Sequence, residues 1–162
     1  MSTRTVISLA AALMTGFASA QLTQPERKFL KDAAMGNKAE MMLGRLAADR
    51  GGSEDIRDFG RQLAADHNQA EDRVIRIASR DDVNLPARIE AGAQRFYDRA
   101  ERLRGRAFDR AFRAYMIRDH RKDIRTYERF SRVARDPEIR RYATRTLPDL
   151  RKHLQLAESA KV

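Results

Sequence analysis

Four long stretches of this chain repeat apolar residues at alternating steps of three and four, a period that only long amphipathic helices satisfy. One seam runs Phe29, Ala33, Gly36, Glu40, Leu43, Ala47, and the next Ile56, Phe59, Leu63, His67, Ala70, Val74, Ile77. A third runs Phe112, Met116, His120, Ile124, Tyr127, Phe130, and a fourth Ile139, Ala143, Thr146, Leu150, His153, Ala157. Punctuation separates them. Gly51-Gly52 ends the first helix, begun near Gln24 with Pro25 in its first turn, and Ser53 caps a second that runs to about Arg80. The stretch "DDVNLP" is a break, Pro86 opens a shorter helix to about Arg104, and a long one follows from Arg106 to about Arg135. Asp136 caps the last helix, with Pro137 at its first position, and it runs to about Ala160. These spans predict an all-α fold: a four-helix bundle of two antiparallel hairpins, with a short helical crossover between its second and third long helices.

Each seam has one ionisable intruder: Glu40, His67, His120 and His153. Glu40 lies eleven residues before Gly51 and His67 fourteen after Ser53, while His120 lies sixteen before Asp136 and His153 seventeen after it. At about 1.5 Å of rise per residue, the four fall within roughly one turn of a common layer. Buried carboxylates and imidazoles without partners are destabilising. A divalent cation such as zinc, iron(II) or copper(II) would neutralise Glu40 and use the imidazole nitrogens. Ligation by neutral imidazoles predicts affinity that falls as pH drops through about 6. Asp66, Glu71, Asp119, Asp123 and Asp149 are placed to orient the ligands from behind. Isolated, hydrogen-bonded core histidines, with Glu40 paired to an Arg or a protonated His, are the competing account. Met41, Met42 and Met116 lie near the same layer, where thioethers would suit copper(I), but Met is also an ordinary core filler. No phosphate-binding glycine loop, nucleophile elbow or thiol is present, and no catalytic residue is assigned.

The first twenty residues stand apart. A single charge at Arg4, an apolar run from Val6 to Phe17 and the end Ala18-Ser19-Ala20 predict a secretory signal peptide, cleaved between Ala20 and Gln21. The mature domain, residues 21–162, would then be periplasmic or associated with the cell envelope. With 0 cysteines it has no disulfides. No second apolar segment is long enough to span a membrane. Net charge is +10, and 27 of the 33 basic residues are Arg. Arg106, Arg110, Arg113, Arg121, Arg125, Arg129 and Arg132 fall on one side of the third long helix, opposite its seam. No aromatic platform interleaves them and the chain is read as exported, so nucleic acid is not the expected partner. A solvated face is expected, or contact with anionic envelope lipid or lipopolysaccharide.

The segments "AEMMLGRLAADR", "FGRQLAADHNQAEDRV", "LRGRAFDRAFRAYMIRDHRKDI" and "LPDLRKHLQLAE" together resemble the domain-of-unknown-function 4142 family, exported bacterial proteins often labelled outer membrane proteins. The shared markers are Glu40, Asp66-His67, Gly105 to Asp109 with Phe108, Asp119-His120, and Leu147 to His153. The resemblance implies a ferritin-like four-helix bundle and no established activity. Di-iron bundles of that class use Glu-x-x-His twice, a motif lacking here, so a mononuclear site richer in His is expected. No strand alternation supports a barrel. Three roles stay open: metal binding for sequestration or envelope stress, a ferritin-like oxidoreductase, and a non-catalytic protein whose polar layer fixes helix register.

Overall fold

The computed structural model describes residues 21–162; the expected signal peptide, residues 1–20, lies outside them. Five helices follow one another: α1 Gln24–Arg50, α2 Glu54–Arg80, α3 Ala91–Ala100, α4 Gly105–Val133 and α5 Pro137–Ser159. Among the described residues there is no β-strand, and no helix is long and apolar enough to cross a membrane. The caps expected at Ser53 and Asp136 are in place: Ser53 Oγ accepts from Ile56 N, and Asp136 Oδ1 accepts from Glu138 N and Ile139 N. On α1, Thr23 and Glu26 add a capping box.

The apolar core falls into two clusters. One gathers Phe29, Leu30, Val74, Ile77, Phe130, Ile139 and Leu150, and the other Leu43, Ile56, Leu63, Phe108, Phe112, Met116 and Ala157. α1 and α5 start in the first cluster and end in the second, whereas α2 and α4 run the other way. Hence α2 and α4 are parallel, and residues 81–104 must travel the length of the bundle. Val83 and Leu85 pack on the first cluster and Phe96 and Ala100 in the second, marking that path. Two hairpins joined by one long crossover make the connectivity of a ferritin-like bundle.

The crossover helix is shorter than its sequence predicts, beginning at Ala91 rather than Pro86. The Pro86 carbonyl accepts from Lys38 Nζ of α1 at 2.7 Å instead of entering a helical ladder. Asp82, at φ 50°, turns the chain out of α2. α4 begins one residue earlier than expected, at Gly105, whose φ of +53° favours glycine.

Buried carboxylates tie each hairpin to the turn of the other. Asp109 of α4 accepts from Gly52 N (2.7 Å) and Ser53 N (2.9 Å) in the α1–α2 turn. Glu26 of α1 accepts from Arg135 N (2.7 Å) and Asp136 N (2.9 Å) in the α4–α5 turn. Burial pushes the Glu26 carboxyl up, but the hydrogen bonds from Asp136, Thr23 and Arg135 outweigh it and hold the pKa below its ordinary value. Within the first hairpin, a Cβ on Gly60 would lie 2.5 Å from Gly44 O, so only glycines allow α1 and α2 to cross this closely. Seven residues further along both helices, the same register opposes Asn37 to His67.

Candidate metal centre

Between the two apolar clusters lies a thin polar layer. α1 contributes Asn37 and Glu40, α2 His67, α4 His120 and α5 His153, and all five are buried. The three histidines each offer a nitrogen to a group whose members lie within 4.8 Å of one another. Glu40 Oε2 lies 3.5 Å from His67 Nε2 and 3.8 Å from His120 Nε2. Donors bound at about 2.1 Å to one tetrahedral ion are separated by about 3.4 Å, so the Glu40–histidine edges are already close to that figure. The histidine nitrogens need draw together by at most about 1.4 Å, less than a rotamer change.

The outward nitrogens decide which way each ring presents its lone pair. His67 Nδ1 donates to Asn37 Oδ1 at 3.0 Å, an oxygen identified by the Asn37 Nδ2 contacts to Glu71 Oε2 (3.3 Å) and Tyr142 OH (3.4 Å). His120 Nδ1 donates to the Met116 carbonyl at 3.1 Å. His153 Nε2 donates to Asp66 Oδ2 at 2.9 Å, an atom that also accepts from Gln62 Nε2. These acceptors assign the tautomers, leaving lone pairs on His67 Nε2, His120 Nε2 and His153 Nδ1. Those three nitrogens and both oxygens of Glu40 have no hydrogen-bond partner, although nearly all buried polar atoms in proteins do.

Electrostatics agree with neutral rings. Burial, then the neighbouring His153 and His120, pushes His67 well below the ordinary histidine value. Burial and His153 bring His120 down to about 3. His153 is lowered by burial against the opposing pull of Asp66. Glu40 moves the other way, well above the carboxylate range, through burial and the adjacent Asp119 and Asp123.

The acidic residues expected behind the ligands divide by what they touch. Asp66 orients an imidazole, but that of His153 on α5 rather than its own neighbour His67. Glu71 reaches His67 only through Asn37. Asp119 and Asp123 sit beside Glu40 and orient no ring. Asp149 acts on His153 by charge alone. Asn37 escaped the sequence reading, although a buried amide one turn before Glu40 was its available signal. Met116 packs in the second apolar cluster, and Met41 and Met42 line a groove with Arg45 and Arg88. Of the arginine stripe, Arg113 caps α5 through the Ala157 and Glu158 carbonyls and Arg121 pairs with Glu158, while Arg106, Arg110, Arg125, Arg129 and Arg132 are exposed.

A family model described as Domain of unknown function (DUF4142) matches residues 12–160 of the chain. Among solved structures, the crystal structure of a DUF305 fragment from Deinococcus radiodurans is similar, with a TM-score of 0.75 at 16% identity. The match covers 86% of this chain and 96% of that one, and at this identity it speaks to the fold alone. No curated protein sequence matches the chain.

Proposed function

The chain belongs to the DUF4142 family, and from the arrangement at its centre we propose that it binds one divalent transition-metal ion through His67, His120, His153 and Glu40. The observation that carries this reading is the set of inward donor atoms without partners, backed by acceptors that hold all three imidazoles in the ligating tautomer. Three imidazoles and a carboxylate suit zinc, iron(II) or copper(II). Four protein donors complete a tetrahedron and leave no coordination position for a substrate, which favours holding the ion over turnover. Sequestration in the cell envelope is the role this implies. Elemental analysis and zinc titration of untagged protein test it: one equivalent per chain is expected. Absence of stoichiometric uptake would instead leave the layer as a device that fixes helix register.

The pH dependence belongs to Glu40 rather than to the imidazoles. With its rings already neutral near pH 6, the metal-free protein meets proton competition at the raised Glu40 carboxyl. Below that pKa the ion must displace one proton, so affinity falls about tenfold per pH unit on acidification. The Glu40→Gln variant binds more weakly and loses this slope. Calorimetry in buffers of different ionisation enthalpy reads the released proton directly; a release of two or three protons would place the competition on the histidines.

The envelope location rests on the charged start, apolar run and A-x-A end of residues 1–20. Intact mass of protein recovered from the envelope fraction should begin at Gln21. A mature species retaining Met1 to Ala20 contradicts export by cleavage.

A further inference from the structure

On the side of α1 away from the Glu40 seam, Lys38, Met41, Met42 and Arg45 recur at steps of three and four and so share one face of the helix. The crossover lies over this face with residues 83–90 non-helical, and the late start of α3 at Ala91 leaves a groove of about 510 Å³ between the two. Lys38 holds the far wall in place: its Nζ donates to the Pro86 carbonyl at 2.7 Å and lies 3.7 Å from Glu71 Oε1. Met41, Met42 and Ile89 are half-buried and give the groove apolar walls. No acidic side chain lines it; Glu90, next to Ile89, pairs instead with Lys122 at 3.9 Å. Arg45 of α1 and Arg88 of the crossover line it from opposite walls, are exposed, and have no ion-pair partner among the described residues. Unpaired arginines are ordinary on a chain of net charge +10, but these two share apolar walls that otherwise face water.

We propose that this groove binds a single acyl chain with an anionic head group, a free fatty acid, with the chain against Met41, Met42 and Ile89 and the carboxylate on Arg45 and Arg88. Such a ligand satisfies the apolar walls and the unpaired guanidinium groups at once; a bare anion would use only the second and a neutral hydrocarbon only the first. Guanidinium groups meet a carboxylate through paired N–H donors, and thioether side chains adapt to a flexible chain. The volume lies within the range of about 300–1,000 Å³ in which proteins take up one small molecule, rather than presenting the open face that a bilayer needs. None of the lining residues is a ligand of the proposed metal site, so the inference stands apart from that reading.

Fluorescence of cis-parinaric acid titrated into the untagged protein, and its displacement by dodecanoate, test this. Saturable uptake of one equivalent per chain is expected. Octanoate, shorter by four methylenes, should need a concentration at least about tenfold higher to displace the probe, because each buried methylene adds affinity. The Arg45→Gln/Arg88→Gln double variant should weaken dodecanoate at least about tenfold and leave displacement by dodecanol unchanged, and circular dichroism verifies its helix content. Displacement by dodecyltrimethylammonium as effective as that by dodecanoate, or unchanged dodecanoate affinity in the double variant, overturns the proposal. So does a wild type that takes up no probe; if that protein sediments with phosphatidylglycerol vesicles, the face is a membrane contact instead.

Discussion

Replacing Glu40 by leucine should make the metal-free protein more stable and the metal-loaded comparison worse. Glu40 is almost wholly buried, its oxygens are unpartnered, and burial and Asp119 hold it away from its charged form. Exchanging such a group for an apolar side chain of similar volume removes a desolvation penalty, and a gain of about 2 kcal/mol is expected in denaturant unfolding without metal. The same variant loses the carboxylate that completes the donor set, so zinc should no longer raise its melting temperature appreciably. Opposite signs in the two conditions would mark Glu40 as a residue kept for a ligand. A variant destabilised with and without metal alike would show that Glu40 serves packing instead.

The second large effect is expected at His120. Structural zinc sites are worth about 10–16 kcal/mol over four ligands, so deleting one imidazole should weaken zinc by about 10²- to 10³-fold. His120→Ala should therefore lose zinc to a competing chelator at a concentration about 10²- to 10³-fold lower than the wild type does, and show a smaller zinc-dependent rise in melting temperature. Arg129→Ala, on the exposed face of α4, should change neither. Unfolding monitored by circular dichroism separates lost binding from lost structure. Zinc affinity within threefold of the wild type in the folded His120→Ala protein would remove His120 from the site.

Much of this arrangement is legible in the sequence, because helix periodicity and turn punctuation are local. The seams place Glu40, His67, His120 and His153 on inward faces, and counting from Gly51, Ser53 and Asp136 gives their common depth. What local patterns could not supply is the partnership between helices. Consecutive residues on a helix point about 100° apart, so Asp66 cannot orient His67 while His67 faces the centre; it reaches across to α5 instead. Asp109 shows the same limit. Its place in the Gly105 to Asp109 stretch was visible, but its task, holding the Gly52–Ser53 turn of the opposite hairpin, exists only once the hairpins are packed. The crossover differs for a related reason: Pro86 is a sound helix-opening signal, but Lys38 of α1, distant in sequence, captures its carbonyl.

Glu26 and Asp109 also bear on the site. By tying each hairpin to the other's turn, they fix the axial register of α1 and α2 against α4 and α5. A one-turn slip would displace a helix by about 5.4 Å and separate the donors beyond reach of one ion.

X-ray absorption at the zinc edge of the stoichiometric complex tests the central claim most directly. The account predicts a four-coordinate ion with nitrogen and oxygen donors at about 2.0–2.1 Å and multiple scattering from three imidazoles, one fewer in His120→Ala. A shell of oxygens without imidazole scattering, or the same spectrum from the His120→Ala protein, would contradict it.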